Sequence, residues 1–124
     1  MVKLIFEKTN GLIPAIAQDD KTGEVLMLGF MNRAAFQETI KSGCMTYFSR
    51  SRQTLWKKGE TSGHVQHVKE IRVDCDLDAV LVKVDQAGNA ACHKGYKSCF
   101  FSKVEDNELK IADNKIFDPK KIYE

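Results

Sequence analysis

The absences in this sequence narrow its range of functions first. No apolar run approaches the ~18 residues that would cross a bilayer, which argues against a membrane partner. The opening MVKLIFEKTN has no apolar centre of the sort a secretory signal carries, so the expected setting is cytoplasmic and reducing. Four cysteines in such a setting are read as thiols, not disulfides. A net charge of +2 is too small to argue for a nucleic-acid or membrane-surface partner. There is no internal repeat, low-complexity tract or linker, and 124 residues are expected to form one domain, 1–124. Nor are the cysteines in CxxC pairs, so a zinc ribbon is set aside.

What is present gathers in Asp74–Cys99, DCDLDAVLVKVDQAGNAACHKGYKSC. The stretch holds three of the four cysteines, one of the three histidines and four acidic residues. Thiols and carboxylates alternate in its first five residues. Soft sulfur suits zinc and hard oxygen suits magnesium or calcium, so the stretch reads as a two-metal region. The alternative is a plain pair of acidic-edged strands with small buried cysteines.

Around it, Leu12–Gln18 and Glu24–Met31 flank the turn cluster Asp19–Gly23, a pattern that predicts a hairpin. Asn32 is placed to cap a helix over Arg33–Ser42 that stops at Gly43, with an apolar face of Ala35, Phe36, Thr39 and Ile40. Cys44 is read as a small core residue ahead of the strand-like Met45–Phe48. Val65–Cys75, Asp78–Gln86 and Tyr96–Val104 read as further strands, and the tail from Glu105 is more polar. The fold class expected is α+β, a mostly antiparallel sheet with few helices.

Ser49–His64, SRSRQTLWKKGETSGH, mixes Arg50, Arg52, Lys57 and Lys58 with Thr54, Thr61 and Ser62, and its glycines let backbone approach a ligand. Cations, hydroxyls and free N–H groups are what a phosphate site needs. A solvated hairpin loop, or a single-strand nucleic-acid surface with Tyr47, Phe48 and Trp56 as stacking platforms, are the other readings.

In a regular strand Asp74, Asp76 and Asp78 share one face and Cys75 takes the other. Asp74 and Asp78 would then lie roughly 13 Å apart, so either a turn or bulge forms near Leu77 or only two of the three carboxylates bind one ion directly, with water completing its shell. Cys75 is free to meet Cys92 and Cys99, and three thiolates leave a fourth tetrahedral position on zinc for water. Such a site carries a net negative charge and acidifies water weakly, so a nearby base would help, and His93 is next to Cys92. A histidine that only orients a ligand, or lies exposed, is the plainer alternative.

Four segments in order, QDDKTGEVLMLGFMN at 18–32, YFSRSRQTLWKKGETSGHVQ at 47–66, VDCDLDAVLVKVDQ at 73–86 and ACHKGYKSCF at 91–100, resemble the phosphoribosyl-AMP cyclohydrolase family of histidine biosynthesis. The resemblance implies a hydrolase that opens the N1–C6 bond of the adenine ring of 1-(5-phosphoribosyl)-AMP with a zinc-activated water. The product would be the phosphoribosylformimino-AICAR ribonucleotide. It implies magnesium on Asp74, Asp76 and Asp78, and zinc on Cys75, Cys92 and Cys99. Cys75 would come from the partner chain of an intertwined homodimer with one zinc per subunit. His93 is then the expected general base and His64 a second proton-transfer or phosphate-contacting group. Arg50, Arg52, Thr61, Ser62 and Gly63 are the expected phosphate contacts. A pyrophosphohydrolase domain is fused to some similar enzymes, and this chain is expected to be monofunctional. His67 and the length of the DQAGNAACH loop depart from the family pattern, and neither departure replaces an expected ligand. Two other functions remain to be weighed: a non-catalytic zinc-stabilised dimer module, and a single-strand nucleic-acid binder.

Overall fold

The strand at the centre of the sheet alternates strictly: in β1 (Ile13–Asp19), Ile13, Ala15, Ala17 and Asp19 are buried and the residues between them are half-buried. The computed structural model describes residues 2–121. A turn over Asp20–Glu24 returns the chain as β2 (Val25–Met31), antiparallel to β1. The register slips between Ala17 and Gln18, and this bulge lets adjacent Leu26 and Met27 both enter the core. The predicted hairpin is therefore present.

The helix α1 (Arg33–Ser42) has the predicted ends. Asn32 accepts a hydrogen bond from the Ala35 N–H at 2.8 Å, and Gly43, at φ +75°, donates its N–H to the Thr39 carbonyl. Ala35, Phe36 and Thr39 are buried, but Ile40, expected beside them, is 49% exposed. It lies about 40° past Phe36 around the helix, beyond the edge of the stripe that meets the sheet.

A second hairpin pairs β3 (Thr46–Ser49) with β4 (Thr54–Lys57), and the Tyr47 and Trp56 rings stack at 5.0 Å. Tyr47 is fully buried, with its ring against Gly29, where a Cβ would lie 2.5 Å from the ring. That burial removes Tyr47 as a stacking platform for nucleic acid. Then β5 (Gln66–Val73) and β6 (Val80–Gln86) pair antiparallel, and β6 lies parallel beside β1, giving the sheet order β2-β1-β6-β5. Val80, Val82 and Val84 complete the core with Ile13, Leu26, Met31 and Met45, each burial contributing about 1.5–3 kcal/mol. Among the described residues the architecture is α+β, with one α-helix and mostly antiparallel pairing, as expected.

Two further expectations fail. Tyr96–Val104 is not one strand: only Ser102–Glu105 (β7) is extended, paired with β8 (Glu108–Ile111) in a hairpin whose residues are all exposed. Residues 96–101 are bent because Ser98 and Cys99 bond to β2 instead of to a neighbouring strand. The Ser98 hydroxyl donates to the Val25 carbonyl at 2.8 Å, and the Cys99 N–H to the Leu26 carbonyl at 2.7 Å. Cys44 is half-buried, not core, and its Sγ lies 3.7 Å from His67 Nδ1 across an isolated bridge to β5.

Candidate active site

The three aspartates sit in the turn that joins β5 to β6. Asp74 donates its N–H to the Ala79 carbonyl (3.0 Å) and Leu77 donates to the Asp74 carbonyl (3.1 Å), with Leu77 at φ +61°. The Asp74 carboxylate accepts from the N–H groups of Asp78 (3.0 Å) and Ala79 (3.2 Å). These backbone bonds, led by Asp78, hold its carboxyl below the usual value. The turn brings one oxygen from each of Asp74, Asp76 and Asp78 within 4.8 Å of the others. The bend near Leu77, the first of the two options, is therefore present. Lys8 reaches in from the N-terminal segment, with Nζ 3.3 Å from Asp78 Oδ2 and 3.0 Å from the Asp76 carbonyl. Three clustered carboxylates with a single ammonium fit a hard divalent cation that keeps part of its water.

The cysteines are brought together by a loop over residues 91–99. Gly95 donates to the Cys92 carbonyl and Cys92 to the Tyr96 carbonyl, folding the chain back, while the Lys94 N–H points at Cys92 Sγ (3.4 Å). Lys97 pins the loop to the β1–β2 hairpin through Asp19 Oδ2 (3.1 Å) and Glu24 Oε1 (3.2 Å). Burial acts to raise the Asp19 carboxyl, but the Lys21 N–H and the Lys97 ammonium outweigh it and hold it low. Cys92 is buried; Cys99 is exposed as a residue, but the enclosure of its thiol and then Cys92 push that thiol up to about 11, with Lys58 pulling the other way. Two adjacent thiols fit a soft divalent ion, which would displace their protons. Cys75 is exposed in the aspartate turn, and among the described residues no third cysteine or histidine of the same chain completes a cluster with Cys92 and Cys99.

A cavity of about 670 Å³ opens between the β3–β4 hairpin, the GETSG loop and the cysteine loop. Arg52, Thr61, Ser62 and His93 line it together with Trp56 and Lys58. Of the other expected phosphate contacts, Arg50 lies over the Phe30 ring at 4.0 Å and Gly63 is outside the lining. His64 is also outside it, packed edge-on to Phe117 at 5.0 Å and so close to Gly88 that a Cβ there would strike the imidazole. His93 also borders a second, more apolar cavity of about 500 Å³ formed with Tyr96, Phe101 and Ile111.

The model of the phosphoribosyl-AMP cyclohydrolase family matches residues 27–101, from β2 to the end of the cysteine loop. The chain belongs to this family. A phosphoribosyl-AMP cyclohydrolase of Desulforapulum autotrophicum is 68% identical over 124 residues, covering 99% of each chain. Proteins of the same name from Desulfatibacillum aliphaticivorans and Methanococcoides burtonii are 58% and 55% identical, over 99% and 92% of this chain and 98% and 91% of theirs. The family match spans the aspartate turn, the GETSG loop and both cysteines of the loop.

Two features of this cyclohydrolase-family chain escaped the sequence reading. Lys58 is buried, although the sequence groups it with Arg50, Arg52 and Lys57 in a polar, phosphate-binding loop; its signal is parity with half-buried Trp56 on β4, continued one step by the Lys58 N–H bond to the Met45 carbonyl. The second is a buried polar chain. The Tyr47 hydroxyl donates to Gln66 (2.7 Å), Gln66 to Gln86 (2.8 Å), and Gln86 to the His64 carbonyl (2.9 Å). Its signal is glutamine at inward positions of alternating strands, where only a partnered amide is tolerated.

Proposed function

We propose that this chain performs the phosphoribosyl-AMP cyclohydrolase reaction, hydrolytic opening of the N1–C6 bond of the adenine ring of 1-(5-phosphoribosyl)-AMP, in cytoplasmic histidine biosynthesis. Membership of the family, with a relative 68% identical over 99% of each chain, carries this reading. No helix among the described residues is long and apolar enough to cross a membrane. When bound, a zinc ion on the cysteines would acidify a water and a magnesium ion on the aspartates would offset phosphate charge.

The chain's own residues supply the rest. Substrate enters the 670 Å³ cavity, where the Arg52 guanidinium and the hydroxyls of Thr61 and Ser62 hold phosphate oxygens. Exposed His93, one residue from Cys92 and at the cavity wall, takes the proton of the attacking water and can return it to the departing ring nitrogen. The aromatic face of Trp56 gives the purine an apolar wall. His64 acts from outside this wall by setting the backbone before Val65, and Arg50, over the Phe30 ring, and Gly63 shape the loop.

The zinc site closes only when Cys75 comes from a second copy, in a homodimer sharing its metal sites. Two observations favour this arrangement. Cys75 is exposed on a turn apart from Cys92 and Cys99, and the β7–β8 hairpin extends Val104 and Leu109 into solvent at 74% and 76% exposure. The test is an absorbance assay with phosphoribosyl-AMP on metal-stripped protein restored with zinc, magnesium or both. Turnover that returns with metal supports the reading; no turnover under any of these conditions sinks it.

A further inference from the structure

The family match ends at Phe101, yet the chain beyond it turns back onto the cysteine loop. Ala112 donates its N–H to the Phe101 carbonyl at 2.8 Å, and the chain then runs from β8 across to Gly95. There the N–H groups of Ile116 and Phe117 both donate to the Gly95 carbonyl, at 2.6 and 3.3 Å. Gly95 is buried at φ +100°, and a Cβ on it would strike the Phe117 carbonyl oxygen, so glycine is what admits so close a crossing. The Phe117 ring stands edge-on to His64, with 5.0 Å between centroids, and His64 in turn lies against Gly88. From Ile111 to Lys121 only Phe117 and Pro119 are half-buried, and the other residues are exposed. These two mark where the tail grips the rest of the molecule.

What it grips is the turn that carries His93. Gly95 donates its N–H to the Cys92 carbonyl at 3.0 Å, with His93 and Lys94 between them at the tip. The following limb is anchored on β1 and β2 through Lys97, Ser98 and Cys99, whereas the tip is tied to the tail through the Gly95 carbonyl. Exposed His93 has no hydrogen-bond partner among the described residues, so the backbone beneath it sets where its ring points. Lys115 and Pro119 also share the wall of the second cavity with His93. A base moves a proton only within hydrogen-bond reach, and a misplacement of about 1 Å can cost 10²-fold in rate. We propose that residues 115–119 form a positioning strap, in which the Ile116 and Phe117 N–H groups and the Phe117 ring hold the Cys92–Gly95 turn so that His93 stays aimed at the reacting water. The proposal rests on the reading of His93 as the proton-transfer group. Phe117 is a positioning residue that acts through the loop.

The test measures kcat, KM and zinc content of protein loaded with zinc and magnesium, for wild type, Ile116→Pro, Phe117→Ala and Phe117→Tyr, each also combined with His93→Ala. Ile116→Pro removes the shorter bond to Gly95, and Phe117→Ala removes the ring. Both should lower kcat about ten- to a hundredfold, with KM within about threefold and zinc content unchanged. Phe117→Tyr, which keeps the ring, should recover most of that loss. In the His93→Ala background the same substitutions should cost under about twofold, because groups that act as one unit are not additive. Equal losses in both backgrounds, or zinc lost with the strap variants, show a general structural role and overturn the proposal. Wild-type kcat in Ile116→Pro and Phe117→Ala, beside an impaired His93→Ala, overturns the strap alone. Full turnover in His93→Ala overturns the reading of His93 and this proposal together. Backbone hydrogen exchange over residues 92–95 in metal-free protein gives a readout without turnover. It should be about tenfold faster or more in Ile116→Pro than in wild type, and an unchanged rate overturns the strap.

Discussion

The aspartate turn and the cysteine loop are built in opposite ways. Between Val73 and Val80 most shaping bonds are local, Asp74 to Ala79, Leu77 to Asp74, and Asp78 and Ala79 to the Asp74 carboxylate, with the N-terminal segment adding Ile5 N–H on the Leu77 carbonyl and Lys8 on Asp76 and Asp78. The loop over 91–99 is held from far along the chain, by Ser98 on Val25, 73 residues away, by Cys99 on Leu26, and by Lys97 on Asp19 and Glu24. Hard-ligand geometry is thus set mainly within one hairpin, and soft-ligand geometry by the docking of two segments. The turn should survive damage elsewhere, whereas the loop should not.

The sharpest break of this contrast is Cys99→Ser. It should remove zinc and reduce kcat by about a hundredfold or more while leaving magnesium binding at the aspartates intact. Metal analysis with the cyclohydrolase assay reads both, and loss of both metals together would mean that the two regions are not independent. His93→Ala comes next: zinc content unchanged, kcat down by about 10²–10⁴. Retained turnover would take His93 out of the proton transfer.

Lys97→Met should destabilise the fold by about 1–3 kcal/mol in urea unfolding, since Asp19 is left buried without its cation, and should loosen zinc with it. An unchanged midpoint would show that the loop docks without the Lys97 clamp. Asp74→Asn tests the local side through pH. A carboxyl held below its unfolded value adds stability that is complete above about pH 4 and is lost as pH falls through the lowered native value. The variant should therefore lose less stability than wild type on acidification through that range. Identical acid profiles would mean that the Asp78 and Ala79 N–H groups do not favour the charged form. Lys8→Met should cost least, under about 1 kcal/mol, because its pair with Asp78 is open to solvent. A larger loss would mean that the aspartate turn depends on the N-terminal segment after all.

The same contrast explains what could be read from the residues alone. Asn32, Gly43 and the alternation of β1 and β6 act within a few residues, and the helix and strands they predict are present with nearly the expected ends. A bend near Leu77 is one of the two options that strand geometry leaves for the aspartates. The run over Tyr96–Val104 looked extended because its aromatics suit a strand, but its hydrogen bonds go to β2, a choice that depends on tertiary contact. Ile40 failed for a similar reason, since the width of the buried stripe depends on the partner surface. The cavity brought Arg52, Thr61, Ser62 and His93 together but left out His64 and Arg50, which motif membership could not separate. Lys58 was hidden by its own charge, which reads as surface wherever the fold is unknown.

Leu77 carries one further consequence. A β-carbon at φ +61° is disfavoured by about 1 kcal/mol or more, and the three carboxylates gathered around it repel one another. Both terms are met when β5 and β6 zip together, before any ion arrives. The grip of the turn on a cation is therefore coupled to the strength of a hairpin whose far end lies at Gln66 and Gln86. A substitution there that frays the strands would slacken the turn from a distance, as a worn hinge pin lets a latch drop, although every ligand is still in place.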